Sequence, residues 1–362
     1  MTTFKNLTLG VAAICLSASL AACTTTTSMD APKASVTKAD GKYTVSAPIN
    51  SFSDFILIET QMGDVAPRVV DMDTVVADLA GYDAIFIGEA HGHAASHYVQ
   101  SKIFSGLHGK YSDMALSMEQ FERSQQGVVD DYLAGKIGEE TLIHDGKAWD
   151  HYRSSYRPLV EFAKNNSLPV IAAEVPGNMV SCVGERGPDF LNELKGEPRT
   201  WIASKLHTQD GPYKDKFYAF MDAAAGHSVN DPNESAADKE RKKFYRYAAQ
   251  VSRDDTMAES IALHMKDNPG RKVMHIDGSF HSAGLLGTVE RLKMHIPDLK
   301  AANVHPIMVD DPKNPTFDAK DVGEGQYLLL IYPTPKRFVQ MKNISAFIKR
   351  TKGKIDENRC GY

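Results

Sequence analysis

The fold is decided by the stretch Tyr82-Asp-Ala-Ile-Phe-Ile-Gly-Glu-Ala-His91-Gly-His93-Ala-Ala-Ser-His97. Its apolar run, Ala84 to Ile87, predicts a buried strand that ends at a glycine and leads into a helix. Glu89 and His91 then follow the carboxyl end of that strand, where open α/β sheets bind their ligands. The alternative is a polar loop in which the histidines share no role.

Strand-like and helical segments alternate downstream of this stretch. Apolar strands are predicted at 114–118, 169–173, 272–277, 304–309 and 326–332, and amphipathic helices at 96–108, 125–134 and 158–165. Strands that alternate with helices are typical of a mostly parallel central sheet flanked by helices. The sequence therefore predicts an α/β fold.

Three segments depart from the alternation. Residues 42–47 and 55–60 predict a small N-terminal hairpin that turns at 48–50, and 312–325 reads as a polar loop. Residues from about 188 to 250 contain amphipathic helices without a clear strand, which predicts a helical insertion subdomain. The α/β domain that contains this insertion would cover residues 42–362.

Acidic and histidine side chains stand at the ends of four predicted strands. They are Glu89 with His91, Glu119, Glu174, and Asp277 with His281. Because the carboxyl ends of parallel strands meet at one edge, we expect these side chains to share a cleft. Clustered carboxylates raise one another's pKa or require a cation, and two imidazoles with two carboxylates suit zinc, manganese or iron. The candidate metal ligands are His91, Glu119, Glu174 and His281; the alternative is that each is a solvated strand end.

Residues 1–22 have the pattern of a secretory signal peptide. Lys5 precedes an apolar stretch, Leu7 to Leu20, that is shorter than a membrane span. The stretch ends Leu20-Ala-Ala-Cys23, which resembles the lipobox of bacterial lipoproteins and implies cleavage before Cys23 and lipid attachment to it. Several acyl chains on one residue suffice for stable membrane attachment. An ordinary secreted protein is the alternative, and it leaves Cys23 unexplained.

Residues 23–41 are expected to join the lipidated cysteine to the folded part. The segment is rich in Thr, Ser, Ala and Lys and lacks apolar periodicity, as in a flexible tether. Thr24 stands where some bacteria use Asp to retain lipoproteins, so we expect an outer-membrane anchor that faces the periplasm. In that oxidising compartment Cys182 and Cys360 can pair or remain thiols.

Composition and missing motifs argue against several functions. The chain is slightly acidic, with a net charge of −5, which argues against nucleic-acid binding. It has no Gly-x-Ser-x-Gly nucleophile elbow, which argues against a serine hydrolase. No Gly-x-Gly-x-x-Gly opens a helix after the first strand, which argues against dinucleotide binding.

A series of short motifs runs in order from about residue 82 to 297. It consists of Gly88-Glu89-x-His91, Met118-Glu119-x-Phe121-x-x-x-Gln125, Asp131-Tyr132-Leu133, Trp149, Tyr156-Arg157-Pro158-Leu159, Ala249-Gln250, Arg253-Asp254-Asp255-x-Met257-Ala258 and Gly278-x-x-His281. The series resembles the ChaN-like haem-binding lipoproteins of the Tiki/ChaN superfamily, which also includes the erythromycin esterases. One departure is Glu174, where relatives usually carry Asn; it adds a carboxylate and favours the metal site.

The resemblance implies an α/β fold with a helical subdomain, non-covalent haem binding and a role in haem or iron acquisition. Haem needs an axial His or Tyr and an apolar slot. The expected ligands near the histidine-rich helix are His93, His97 and Tyr98, with His151, Tyr152 and Tyr156 as further candidates in the next segment. His97 and Tyr98 are favoured because they lie one turn beyond the cleft motif. The implied partners are haem or an iron compound, the membrane, an outer-membrane uptake receptor and a second copy of the chain.

The same superfamily implies a second hypothesis, a metal-dependent hydrolase. In that case His91 is a ligand or general base, Glu119 and His281 are further ligands, and Glu89 is a base or an orienting group. Arg253 would stabilise an oxyanion or a substrate carboxylate, or else form a structural salt bridge with Asp254 or Asp255. A purely structural lipoprotein is a third hypothesis, in which the ionisable cluster is unnecessary.

Overall fold

The structure, a computed structural model, describes residues 34–225, 235–351 and 360. These residues belong to one unit, Ala34–Tyr362. The predicted signal peptide, Cys23 and the predicted tether up to Lys33 lie outside the described residues. Within the described part, no helix is long and apolar enough to cross a membrane.

The strands form two sheets. They are β1 (Val36–Ala39), β2 (Lys42–Val45), β3 (Phe55–Glu59), β4 (Arg68–Val70), β5 (Ala84–Glu89), β6 (Met114–Glu122), β7 (Val170–Glu174), β8 (Lys272–Gly278), β9 (Ala301–Met308), β10 (Thr316–Asp318) and β11 (Tyr327–Ile331). The main sheet has the order β4-β3-β11-β9-β5-β8-β6-β7. Its strands from β11 to β7 are parallel, whereas β3 and β4 add an antiparallel edge. The predicted mostly parallel central sheet is therefore confirmed.

Helices cover both faces of the main sheet. They are α1 (Met72–Leu79), α2 (Ala94–His108), α3 (Gln126–Leu133), α4 (Glu139–Asp145), α5 (Tyr152–Ser155), α6 (Arg157–Asn165), α7 (Gly177–Arg186), α8 (Pro212–Ala225), α9 (Ala236–Asp267), α10 (Thr288–His295) and α11 (Met341–Thr351). Apolar residues of α1, α2 and α6 pack on one face, and those of α9 and α10 pack on the other.

The central strand β5 is apolar along its length because it is covered on both faces. All six of its residues are buried, and it pairs with β8 on one side and β9 on the other. Ile85 and Ile87 contribute to the core that contains α2, while Phe86 contributes to the core beneath α9 and α10. A continuous apolar run of this kind is expected for a parallel strand covered on both faces.

The segment predicted as a helical insertion, about 188–250, is helical or irregular wherever it is described. It contains short 3₁₀ turns, α8 and the first half of α9. Helix α9 is 32 residues long and is capped by Ser235, whose side chain accepts a hydrogen bond from the Asp238 amide. Its first half packs Tyr247 against α8, and its second half packs Met257 on the sheet. Helix α9 therefore connects the insertion to the strand ends.

Three predictions for the segments around the smaller sheet, β1-β2-β10, are wrong. The segments 42–47 and 55–60 do not form a hairpin, because β2 pairs with β1 and β10, whereas β3 joins the main sheet beside β11. The missed signal is Asp40-Gly41: both have positive φ, and such a pair forms the tight turn of a hairpin between β1 and β2. Consequently part of the predicted tether is strand β1, and the predicted loop 312–325 contains β10.

Cys182 and Cys360 form a disulfide, with 2.01 Å between the sulfur atoms. The two cysteines lie in an apolar cluster with Met179, Val183 and Phe190. The pairing that the sequence leaves open is thus present. It ties the end of the chain to α7.

Candidate functional site

The carboxyl ends of β5, β8, β6 and β7 lie side by side, and their polar side chains converge around Glu119. Oε1 of Glu119 lies 3.9 Å from both Nε2 of His281 and Nη1 of Arg253. Its Oε2 accepts a hydrogen bond of 2.5 Å from the amide of Gly278. The ring of His91 packs against that glycine, because a Cβ there would lie 2.8 Å from Nε2 of His91. We call the following residues the strand-end cluster: Glu89, His91, Glu119, Glu174, Arg253, Asp254, Asp277 and His281.

Within the cluster, Glu89 orients His91. Oε1 of Glu89 lies 2.7 Å from Nδ1 of His91 and accepts a hydrogen bond of 2.6 Å from the Tyr156 hydroxyl, while Gln100 donates to Oε2 at 2.8 Å. Burial alone would raise the pKa of Glu89, but these hydrogen bonds and His97 hold that pKa below its usual value. The hydrogen bond to Glu89 raises the pKa of His91. With Nδ1 held by a carboxylate, Nε2 is the nitrogen left to act on a bound molecule, and the side chain is 45% exposed.

Asp254 holds His281 in the same way from the neighbouring helix α9. Nδ1 of His281 lies 2.8 Å from Oδ1 of Asp254, whose other oxygen accepts a hydrogen bond of 2.7 Å from the Tyr213 hydroxyl. Burial disfavours the charged imidazolium, but Asp254, Glu119 and Asp277 outweigh it and raise the pKa of His281 to about 9. His281 is therefore a buried cation at neutral pH.

Arg253 pairs with Glu174 rather than with Asp254 or Asp255, the partners that the sequence offered. Its Nη1 lies 2.5 Å from Oε2 of Glu174. Successive residues of a helix point about 100° apart, so Arg253 and its neighbours on α9 face different elements. Burial raises the pKa of Glu174 to about 7, although Arg253 opposes the rise. The added carboxylate of this chain is thus matched by a cation of the protein itself.

Within the cluster, Asp277 lies beside His275. The Ser282 hydroxyl donates to Oδ1 of Asp277 at 2.8 Å. Oδ2 of Asp277 lies 3.8 Å from Nε2 of His275, and neither atom has a hydrogen-bond partner among the described residues. Burial raises the pKa of Asp277 well above its usual value and lowers that of His275 to about 3. Burial thus favours the neutral form of each group.

The predicted metal ligands meet in this cleft, but they do not form a metal site. Among the described residues, no group of three or more His, Cys, Asp or Glu side chains is arranged to hold a metal ion. Arg253 binds Glu174, and the Gly278 amide binds Glu119. The structure therefore does not support zinc, manganese or iron at His91, Glu119, Glu174 and His281. Arg253 and His281 provide the positive charge that a metal was expected to provide.

His93 and His97 do not present a nitrogen to haem, contrary to expectation. His93 caps α2: its Nδ1 accepts from the amide two residues later at 3.2 Å, and its Nε2 lies 2.8 Å from the carbonyl oxygen of Tyr332. Nε2 of His97 accepts from the Gly92 amide at 3.1 Å, and its Nδ1 lies 3.0 Å from Oε1 of Gln100. Both histidines are buried, and their nitrogens already hold the start of α2 in place.

Tyr98, the third expected haem ligand, is accessible. Its side chain is 50% exposed, and its hydroxyl has no hydrogen-bond partner in the described part of the chain. Together with Pro48, Asn50, Ser53, Asp54 and Phe55 it lines a groove of about 770 Å³, which we call the Tyr98 groove. The rings of Tyr98 and Phe55 are 6.1 Å apart, and the nearby Phe52, 42% exposed, lies 5.1 Å from Tyr332.

Two of the further haem-ligand candidates, His151 and Tyr156, lie next to Glu89, whereas Tyr152 lies in the apolar core. Nε2 of His151 lies 3.2 Å from the hydroxyl of Tyr156, which binds Glu89. Tyr152 is buried against Phe121. Trp149, a residue of the motif series, packs edge-on against His91 at 5.1 Å. Tyr156 and Trp149 therefore contact the Glu89–His91 pair directly.

Sequence reasoning missed the residues that hold His281. Nε2 of Gln250 lies 3.2 Å from both the Tyr213 hydroxyl and Nδ1 of His281. Gln250 and Asp254 are four residues apart on α9, so their spacing was an available signal that they share a face. Tyr213 is 41 residues from Asp254 and had no local signal.

Comparison with known proteins bears on both sites. The family model described as haem-binding uptake, Tiki superfamily, ChaN, matches residues 75–292, a range that includes the strand-end cluster and Tyr98. No curated protein sequence matches the chain.

A solved structure shares the fold of this chain. ChaN of Campylobacter jejuni, described as binding heme cofacially, has a TM-score of 0.56 and 15% sequence identity, over 79% of this chain and 100% of that one. A mutant of the erythromycin esterase EreC in its open conformation has a TM-score of 0.42 and 12% identity, over 83% of this chain and 88% of that one.

Proposed function

Because the chain belongs to the family of haem-binding uptake proteins of the Tiki superfamily that includes ChaN, we propose that it binds haem non-covalently through Tyr98. The match over residues 75–292 is the observation that supports haem as the ligand. The accessible phenol in the Tyr98 groove supports the position, since the two expected histidine ligands are already hydrogen-bonded. When bound, haem would supply an iron centre, which the Tyr98 oxygen would hold.

The chemistry of the Tyr98 groove fits this ligand. A groove of about 770 Å³ lies within the range of small-molecule sites, and Phe52 and Phe55 offer apolar surface to a macrocycle. Lys102 is exposed four residues after Tyr98, hence on the same face of α2, where it can pair with a propionate. No Cys-x-x-Cys-His motif is present for covalent attachment.

The open groove also supports a homodimer. It would cover one face of a bound haem and leave the other exposed, so a second copy of the chain would shield the pair from water. The neighbouring ChaN structure, described as binding heme cofacially, supports this arrangement.

The lipobox supports a membrane anchor, with Cys23 lipidated at the outer membrane and the protein facing the periplasm. The family description as uptake proteins supports a role in haem or iron acquisition with an uptake receptor.

The test is a titration of residues 24–362 with haemin in metal-free buffer, followed at the Soret band. The protein comprising residues 24–362 contains the whole unit that begins at Ala34. We expect a saturable band, and we expect Tyr98→Phe to weaken binding by about tenfold or more, because it removes one oxygen and retains the ring. Tyr111→Phe, at an exposed tyrosine outside the groove, is the matched control. A flat titration would contradict the proposal, and so would equal binding by Tyr98→Phe.

A second function, hydrolysis without a metal, is favoured by one observation at the strand-end cluster. Glu89 fixes Nδ1 of His91, which is how a carboxylate orients a general base, and the cations Arg253 and His281 lie where they can stabilise negative charge. His91→Ala would then abolish hydrolysis of small ester substrates and leave the haemin titration unchanged. Equal hydrolysis by the wild type and His91→Ala would exclude this function.

A further inference from the structure

The C-terminal part of the chain carries an unusual charge pattern. Residues 325–355 contain seven Lys and Arg and no Asp or Glu, in a chain that has 41 basic and 46 acidic residues. The basic residues are Lys336, Arg337, Lys342, Lys349, Arg350, Lys352 and Lys354. A positive segment of this kind, on an otherwise acidic protein, points to an anionic partner.

Helix α11 lies within this segment and shows apolar side chains to solvent. Phe347 is 36% exposed, and Val339, two residues before the helix, is 87% exposed. The rings of Phe338 and Phe347 lie 5.3 Å apart, and the guanidinium of Arg337 lies over Phe347 at 5.7 Å. Within the described part of the chain, these residues are outside the buried core clusters. The segment therefore combines exposed apolar and basic side chains.

That combination matches the surface of an anionic membrane. A basic amphipathic helix lies in the interface, where its apolar side chains enter the acyl boundary and its cations meet lipid phosphates. We propose that the segment from Lys336 through α11 lies on an anionic phospholipid surface. The inference does not depend on haem binding, because it rests on charge and exposure outside the Tyr98 groove.

The membrane contact would set the orientation of the protein. A lipid on Cys23 would attach the protein to the bilayer at one point. A second contact through α11 fixes the side that faces the lipid. The segment begins soon after Tyr332, whose ring lies 5.1 Å from Phe52 beside the Tyr98 groove. The groove is thereby held close to the membrane, where an apolar ligand such as haem concentrates.

The experiment is vesicle co-sedimentation of residues 24–362, which lack the proposed lipid. Vesicles of phosphatidylcholine with about one-third phosphatidylglycerol are compared with pure phosphatidylcholine, at low and at high salt. We expect binding to the anionic vesicles alone, weakened by salt. The double charge reversal Lys336→Glu with Lys342→Glu should lower the partition coefficient by about tenfold or more, since each cation near the surface adds to the attraction.

Two further variants make the result specific. Lys110→Glu with Lys266→Glu changes the net charge equally at exposed positions on other elements and should bind like the wild type. Val339→Asp should also weaken binding, and a side chain that is 87% exposed leaves the fold intact. Equal binding to both vesicle types would overturn the proposal, as would unchanged binding by Lys336→Glu with Lys342→Glu. A change in oligomeric state without a change in vesicle binding would assign the segment to a second copy instead.

Discussion

The charge on His281 makes the stability of the protein depend on pH. Its pKa is raised to about 9 in the folded chain, from about 6.5 in an unfolded one, because Asp254, Glu119 and Asp277 outweigh burial. The pairing therefore stabilises the fold fully below pH 6.5, and its contribution is lost as the pH rises through 9. We expect the free energy of unfolding to fall by about 1–3 kcal/mol over that window in denaturant titrations.

Asp254→Asn tests this assignment. The amide cannot hold the imidazolium, so the fall in stability between pH 6.5 and 9 should become shallower. Asp267→Asn, an exposed residue of the same helix, should keep the slope of the wild type. An Asp254→Asn slope equal to that of the wild type would refute the pairing as its cause.

At this scale the sequence predicts positions better than contacts. Glu89, Glu119 and Glu174 were found because a side chain at the end of a buried strand has only one edge to occupy. Which of His97 and Tyr98 is accessible depends on a rotation of about 100° along α2, and on the hydrogen bonds that His97 forms with Gln100 and with the Gly92 amide. The spacing of residues in the sequence shows neither the rotation of α2 nor these hydrogen bonds.

Gly278, the last residue of β8, leaves room for the ring of His91, which lies against it. A Cβ on Gly278 would approach Nε2 and Cε1 of that ring to 2.8 and 2.9 Å. Gly278→Ala should therefore push His91 away from Glu89 and cost about 1–3 kcal/mol of stability. NMR should show a lower pKa for His91, because the hydrogen bond that raises it is lost. Gly127→Ala, where a Cβ meets nothing within 4 Å, is the control; the same His91 pKa in both variants would contradict the contact.

Strands that show a continuous apolar run could be predicted from the sequence, whereas the partner of each strand could not. The buried parallel strands are recognisable in the sequence as continuous apolar runs, as in Ala84–Glu89. Strand β3 has an equally apolar sequence, but nothing local shows that its partner is β11, more than 260 residues later, rather than β2. Partner choice among strands depends on long-range packing, whereas the presence of a strand depends on local pattern.

Across the whole molecule, the disulfide should be a large contributor to stability. It closes a loop with a sequence separation of 178 residues, which restricts the unfolded chain. Reduction of the wild type, or Cys360→Ser, should lower the free energy of unfolding by about 2–4 kcal/mol in denaturant titrations. The reductant should have no further effect on Cys360→Ser. Identical midpoints for the oxidised and reduced wild type would contradict this expectation.

The same bond gives the C-terminal segment two fixed points. One is β11, hydrogen-bonded within the main sheet, and the other is Cys360, covalently joined to α7. A mechanical pull on α11 is therefore transmitted to two distant parts of the folded unit at once. While the disulfide is intact, a force on α11 therefore acts on β11 and on α7 together. In a reducing medium the bond between Cys182 and Cys360 is broken, and the same force would act on the segment through β11 alone.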